Sequence, residues 1–183
     1  MKKTVMLVLV VLFSVSAIAQ AQCRIGFHGA NVSGDDLEQP GIGFGAQVVL
    51  PMTDMLGWEI SATRFEDKAE DLKINITHVA ATLQLSTLVI DQRLRLYGGL
   101  GLSFNYFDAE VSIPGYTVEI ESMIGFHAAA GAGVYLTKDI ELFAEYRSVW
   151  ADTEATVRNR YDCQVVKSPF DFDIIRVGMN FNF

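Results

Sequence analysis

The chain has 183 residues, with 22 acidic against 14 basic side chains, a formal charge of −8, and half of its residues hydrophobic. That length suits one domain, and the acidic balance excludes electrostatic binding of nucleic-acid phosphates. Beyond residue 20 no apolar run reaches the ~20 residues of a membrane helix, so the hydrophobicity is dispersed as alternating strands require.

The first segment, MKKTVMLVLVVLFSVSAIAQAQ, sets Lys2 and Lys3 before an apolar run from Val5 to Val15 and then small residues. The run is too short to span a bilayer, and Ala17-Ile18-Ala19 and Ala19-Gln20-Ala21 both fit an A-x-A cleavage motif. This predicts a cleaved signal peptide over residues 1–21 and an exported domain over residues 22–183. Cleavage after Ala21 is preferred, with Ala19 close behind. Loss of Lys2 and Lys3 takes the formal charge from −8 to −10. Cys23 follows, but Gln22 before it is not the small residue that a lipoprotein signal carries.

Seven breaks divide the rest into eight predicted strands, at 24–32, 41–50, 56–65, 72–88, 94–107, 123–136, 140–150 and 171–183. The second, fourth and sixth breaks (PMTDM, VIDQR, TKD) are short. The first, GDDLEQPG, is intermediate and charged, and the third, EDKAED, is modest. The fifth and seventh (AEVSIPGYTVEIES and DTEATVRNRYDCQVVKSP) are long. A chain passing up and down through a layer turns tightly at one end and loops at the other. Eight passes return both termini to the short-turn end.

Successive strand side chains point to opposite faces, so each strand divides by parity. Strand two sets Ile42, Phe44, Ala46, Val48 and Leu50 against Gly43, Gly45 and Gln47. Strand three sets Trp58 and Ile60 against Glu59, Ser61 and Thr63. Strand five sets Leu96, Leu100, Leu102, Phe104 and Tyr106 against Arg95, Tyr97, Gly99, Gly101, Ser103 and Asn105. Strand six sets Ile124, Phe126 and Val134 against Gly125, His127, Ala129, Gly131 and Gly133. Strand seven sets Leu142, Ala144, Tyr146 and Trp150 against Glu141, Phe143, Glu145 and Arg147. Strand eight sets Ile175, Val177, Met179, Phe181 and Phe183 against Arg176, Gly178, Asn180 and Asn182. Strand one is weaker, with Ile25 and Phe27 against Arg24, Gly26 and His28. In strand four Leu72, Ile74 and Ile76 are out of phase with Val79, Ala81, Leu83 and Leu85. Either a bulge near Thr77 or a segment projecting past the membrane accounts for that change.

A soluble barrel would put the apolar set inside; a membrane barrel puts it outside. The polar set is rich in Gly, Ala and Ser with few charges, unlike a solvated face. Small residues beside a few large polar ones suit the narrow filled lumen of eight strands. The aromatics gather at strand ends: Trp58, Phe181 and Phe183 at the short turns, and Phe104, Tyr106, Tyr146 and Trp150 at the loops. Such clusters form interfacial girdles.

Three features together resemble the small bacterial outer-membrane β-barrel family of the OmpA/OmpX-type and opacity-porin group. They are the signal peptide, Gly-rich hairpins such as GIGFGAQVVLPMTDMLGWEISATRFE and GGLGLSFNYF, and the alternating terminal run that ends in Phe183. The likeness covers residues 24–183. It implies an all-β, eight-stranded antiparallel up-and-down transmembrane barrel in the outer membrane, among lipid and lipopolysaccharide. It also implies that Met179, Phe181 and Phe183 form the signal read by the barrel-assembly machinery. The family's roles are diverse, so the resemblance speaks to location more than to activity.

Glu59, Arg95, Glu141, Glu145, Arg147 and Arg176 share the inward parity, and the expectation is a structural ion-pair network that fills the lumen. A gate or narrow conduit is the alternative. His28, His78 and His127 are also inward, but a metal site needs them at one height on adjacent strands, so no metal or other cofactor is expected. Lipid A deacylases of this architecture resemble His-x-Ser; here Ala129 follows His127 by two residues, leaving no nucleophile to activate. The chain is therefore read as a non-enzyme with a structural or surface role. Loops three and four could bind an extracellular ligand; loop four mixes Arg158, Arg160 and Lys167 with Asp152, Glu154, Asp162 and Tyr161. A small-hydrophobe transporter would need an apolar lumen pocket, which the inward charges disfavour. Cys23 and Cys163 fall at opposite ends, tens of Å apart at ~3.3 Å per residue, beyond disulfide reach.

Overall fold

The computed structural model describes residues 23–34, 37, 41–69, 72–111, 117–158 and 163–183. The predicted signal peptide over residues 1–21 lies outside them, as do Arg160, Tyr161 and Asp162 of loop four. In chain order the strands are β1 (Arg24–Ser33), β2 (Gly41–Pro51), β3 (Leu56–Ala69), β4 (Leu72–Val89) and β5 (Leu94–Val111). They continue with β6 (Thr117–Ile120), β7 (Met123–Tyr135), β8 (Ile140–Arg158), β9 (Cys163–Pro169) and β10 (Phe172–Asn182).

Strands β1 to β5, β7, β8 and β10 pair antiparallel with their neighbours, and β10 also pairs with β1. The result is a closed eight-stranded barrel, which leaves no free edge in the membrane. These eight strands fall on the eight predicted spans. Several run further: β3 to Ala69, β5 to Val111 and β8 to Arg158. On the outer extension of β8 two strands that the sequence reading left inside loops pair to its two sides. β6 aligns Ile120 with Ala155, and β9 aligns Cys163 with Arg158. Loops three and four thus carry a three-stranded sheet continuous with the barrel wall.

Two of the short turns use one device. The Thr53 hydroxyl accepts from the backbone N–H groups of Met55 and Leu56, at 3.3 and 3.0 Å. The Thr137 hydroxyl accepts from Asp139 and Ile140, at 3.2 and 3.1 Å. A hydroxyl that holds the backbone two and three residues on fixes a tight reversal.

The β3–β4 and β4–β5 ladders run without interruption, from Leu56↔Leu85 to Ala69↔Leu72 and from Val89↔Leu94 to Leu72↔Val111. Of the two readings given for β4, the bulge near Thr77 is not formed. Ile76 shares the inward parity of His78 and is fully buried, and Ile74 packs beside it. The phase of the strand never changes; the character of the interior does. At the outer end the barrel is filled by an apolar cluster of Val32, Phe65, Ile76, Phe107, Val149, Phe172 and Ile174 with their smaller neighbours. Phe172 stacks at 5.8 Å from Phe65 and 5.6 Å from Phe170, and Phe107 lies 5.4 Å from Phe170. The polar lumen expected along the whole barrel occupies only its inner part. The outward set is exposed as predicted, including Phe44, Trp58, Leu100, Tyr106, Phe126, Tyr146, Trp150 and Val177.

Candidate functional site

The inner part of the barrel interior carries the ion pairs. The antiparallel register sets Arg176 of β10 directly opposite Glu145 of β8. Arg176 donates to Glu145 and, at 2.8 Å, to Glu59 across the lumen. Arg147, two residues from Glu145 and on the same face, donates to Glu59 at 2.7 Å and to the Ser61 hydroxyl at 3.1 Å. Two acids and two guanidinium groups therefore close a neutral cluster in which each residue is buried. Nearer the short turns Arg95 grips Glu141 through two nitrogens, at 2.6 and 3.2 Å, and its guanidinium lies 4.1 Å from the Tyr97 ring centre. Bidentate geometry makes the burial of Arg95 and Glu141 tolerable, whereas Arg176 reaches both of its acids through one nitrogen.

All six predicted lumen residues are thus inside, but in two groups rather than one. Gln84 joins them: its amide nitrogen donates to Glu59 at 3.3 Å, and its oxygen accepts from Arg95 at 3.1 Å. Asn180 extends the inner group, donating to Glu141 at 2.9 Å while accepting from Gln47 at 2.9 Å. Sequence reasoning placed Asn180 on the inward face without a role, and Gln84 has the inward parity opposite Leu83 and Leu85. The signal available was that an amide both donates and accepts, as a bridge between ion pairs requires.

The inward glycines make room for these groups. A Cβ at Gly133 would run into the Glu141 carboxylate, and one at Gly101 would lie 2.6 Å from the His127 ring. Large polar side chains fit inside a narrow barrel because the neighbouring strand gives up its own.

The three histidines are buried among the lumen's polar side chains, and His78 reaches the apolar cap. His28 bonds the Thr63 hydroxyl at 2.9 Å, His78 the Asn105 carbonyl at 2.7 Å, and His127 the Thr82 hydroxyl at 2.8 Å. His78 and His127 lie with ring centres 6.2 Å apart, and His78 also meets Phe172 edge to face at 5.7 Å. No group of three His, Cys, Asp or Glu is placed to hold a metal ion among the described residues. His127 faces Thr82 and has Ala129 two residues on.

At the inner end Phe183 is exposed, and its N–H donates to the Cys23 carbonyl at 3.0 Å. Phe181 stands between Ile25 and Ile140, and Met179 between Phe27 and Leu142, all of outward parity. Cys23 is buried here with a free thiol, while β9, which begins at Cys163, is at the opposite end.

Comparison with solved structures finds the same fold in outer-membrane proteins. OprG from Pseudomonas aeruginosa aligns with a TM-score of 0.68 at 16% identity, over 89% of this chain and 96% of that one. Neisserial surface protein A aligns at 0.63 and 19%, over 88% and 96%. Ail, the attachment invasion locus protein of Yersinia pestis, aligns at 0.52 and 12%, over 89% and 97%. No curated protein sequence matches the chain. The family model described as outer membrane protein beta-barrel domain matches residues 5–183. With a closed eight-stranded barrel, an apolar outer face and a paired polar interior, the chain belongs to that family and is a protein of the bacterial outer membrane.

Proposed function

We propose that the barrel is a sealed membrane scaffold whose task is to hold its extracellular sheet and loops at the cell surface. The observation that carries this reading is the double filling of the interior. A neutral lattice of Glu59, Glu145, Arg147 and Arg176 crosses the lumen, and the Phe65–Phe107–Phe172 cluster caps it. An ion would have to separate buried pairs and then pass an apolar layer, and each step is costly. Purified protein in planar bilayers is expected to give no stable conductance; sustained open channels in the wild type would overturn the proposal.

The outer sheet of β6, β8 and β9 supports recognition, because it gives loops three and four a rigid base. Ail, a barrel of the same fold, is by name an attachment protein, and cell attachment is the form of recognition we propose. Replacing residues 117–120 and 163–169 by short turns is expected to abolish attachment of expressing cells to a host-cell layer while leaving the barrel folded. Attachment unchanged by the replacement would count against this role.

The apolar outer interior favours a second reading, passage of small hydrophobic molecules, over a polar pore. The tight packing of Phe65, Phe107, Phe170 and Phe172 disfavours it in turn. We also propose that residues 1–21 are removed on export, and that Met179, Phe181 and Phe183 are read by the assembly machinery, a role supported by their outward row at the barrel seam. Lipopolysaccharide is the proposed neighbour of Arg64, an exposed cation of outward parity paired in register with Phe44 at the outer rim. No catalytic role is proposed: Ala129 stands two residues after His127, where the deacylase pattern has its serine.

A further inference from the structure

The inner mouth of the barrel opens into a cavity of about 1090 Å³ between the three short turns and the strand ends. Its charged lining is unbalanced. Arg24, Arg93 and Lys138 face it against Asp54 and Asp139, while Arg95, also in the lining, is already paired with Glu141. Arg93 and Lys138 are exposed and form no ion pair among the described residues. The two aspartates belong to the turns and pair with none of the four cations.

The floor of the cavity holds a sharper mismatch. Glu141 has two guanidinium groups near it but serves only one. Its oxygens already accept two bonds from Arg95 and one from Asn180. Arg24 comes no closer than 3.9 Å to that carboxylate, beyond hydrogen-bond distance, and its single hydrogen bond is a long one of 3.5 Å to the Tyr135 hydroxyl. The Arg24 side chain is only 14% exposed, it lines the cavity, and the long bond to Tyr135 leaves most of its donors without an acceptor in the protein. A guanidinium presents paired N–H donors in a fork that matches carboxylate and phosphate oxygens.

We propose that this mouth is a binding site for a small polyanion, a molecule bearing two or more carboxylate or phosphate groups, taken from the periplasmic side. One anionic group would seat on Arg24 with the Tyr135 hydroxyl, and the others would meet Arg93 and Lys138 at the rim. The cavity is of the size that encloses a small organic ligand. The site lies on the inner side of the charged lattice and does not depend on whether the barrel conducts.

The test uses the folded mature chain in detergent micelles at fixed ionic strength, titrated with citrate and separately with pyrophosphate by calorimetry. Saturable one-to-one binding of at least one of them is expected, and the stronger of the two names the anionic group. Arg24→Gln is expected to weaken it about tenfold, as loss of a charge-assisted contact does. Arg64→Gln, at the opposite rim, is expected to leave it unchanged. Retention of the folded, heat-modifiable band on cold electrophoresis confirms that each variant is a barrel. Absence of saturation with both probes overturns the proposal, as does equal affinity in Arg24→Gln and wild type, or an equal loss in Arg64→Gln.

Discussion

Ile90, Asp91 and Gln92 all take left-handed backbone angles in the β4–β5 turn, with φ of 52°, 52° and 63°. Asp tolerates that region; a β-branched residue does not, and the cost is about 1–2 kcal/mol. Ile90 is exposed, so its side chain returns little packing. Ile90→Gly is therefore expected to raise barrel stability by about 1 kcal/mol, read as a higher urea midpoint in lipid vesicles. Arg176 is the opposite case, a residue whose removal strands its partners. Arg176→Ala leaves Glu59 with Arg147 alone and Glu145 short of a cation in a buried site. Loss of about 3 kcal/mol or more is expected in the same assay, without the appearance of large conductance. Parity alone brought Arg176 to Glu145, because β8 and β10 are neighbours and both residues point inward. It could not bring Gln84 between two ion pairs, since that depends on heights around a sheared barrel, which one strand's alternation does not encode.

At the level of the strand, alternation was legible wherever the two faces met different surroundings along their whole length. β5 and β10 read cleanly for that reason. β4 misled because its outer half points Ile74 and Ile76 into an apolar interior while its inner half points His78, Thr82 and Gln84 into a polar one. The same apolar residue type then marks opposite faces in the two halves, and the pattern mimics a bulge. β6 and β9 escaped notice because each is short, flanked by Pro or Gly, and paired only to the extension of β8. The outward assignment of β10 yields a direct check. Val177 lies in the middle of the lipid-facing row, exposed, with Ile175 on one side and Met179 on the other. Val177→Lys is expected to destabilise the barrel by about 2–4 kcal/mol in vesicles. In the same membranes Cys substituted at Asn180 should resist a lipid-soluble thiol reagent that labels Cys at Phe181; reversed labelling would invert the barrel.

For the whole molecule, fold and location were legible in the sequence and the inner architecture was not. Signal-like N-terminus, strand count, turn lengths and the terminal row specify a membrane barrel because each follows from local pattern. The apolar cap and the cationic inner mouth are assembled from residues far apart in the chain, Val32 with Ile174 and Arg24 with Tyr135, and no window of sequence contains them. Deleting Phe183 is expected to slow assembly into membranes while leaving the unfolding midpoint of the inserted barrel nearly unchanged, as compared by pulse-chase heat-modifiability and urea titration. Equal assembly rates would remove its proposed signalling role.

The seam between β1 and β10 pairs Arg24 with Asn182 and Ser33 with Asp173. Every other wall of the barrel joins strands close in sequence; this one joins the first to the last. Until the final strand has arrived, the sheet remains an open ribbon with two bare edges, and the lattice around Arg176 cannot form at all, because Arg176 is carried by that strand. The same pairing thus seals the edges and completes the buried charge lattice, and until it forms the ribbon's bare edges need shielding from wrong partners.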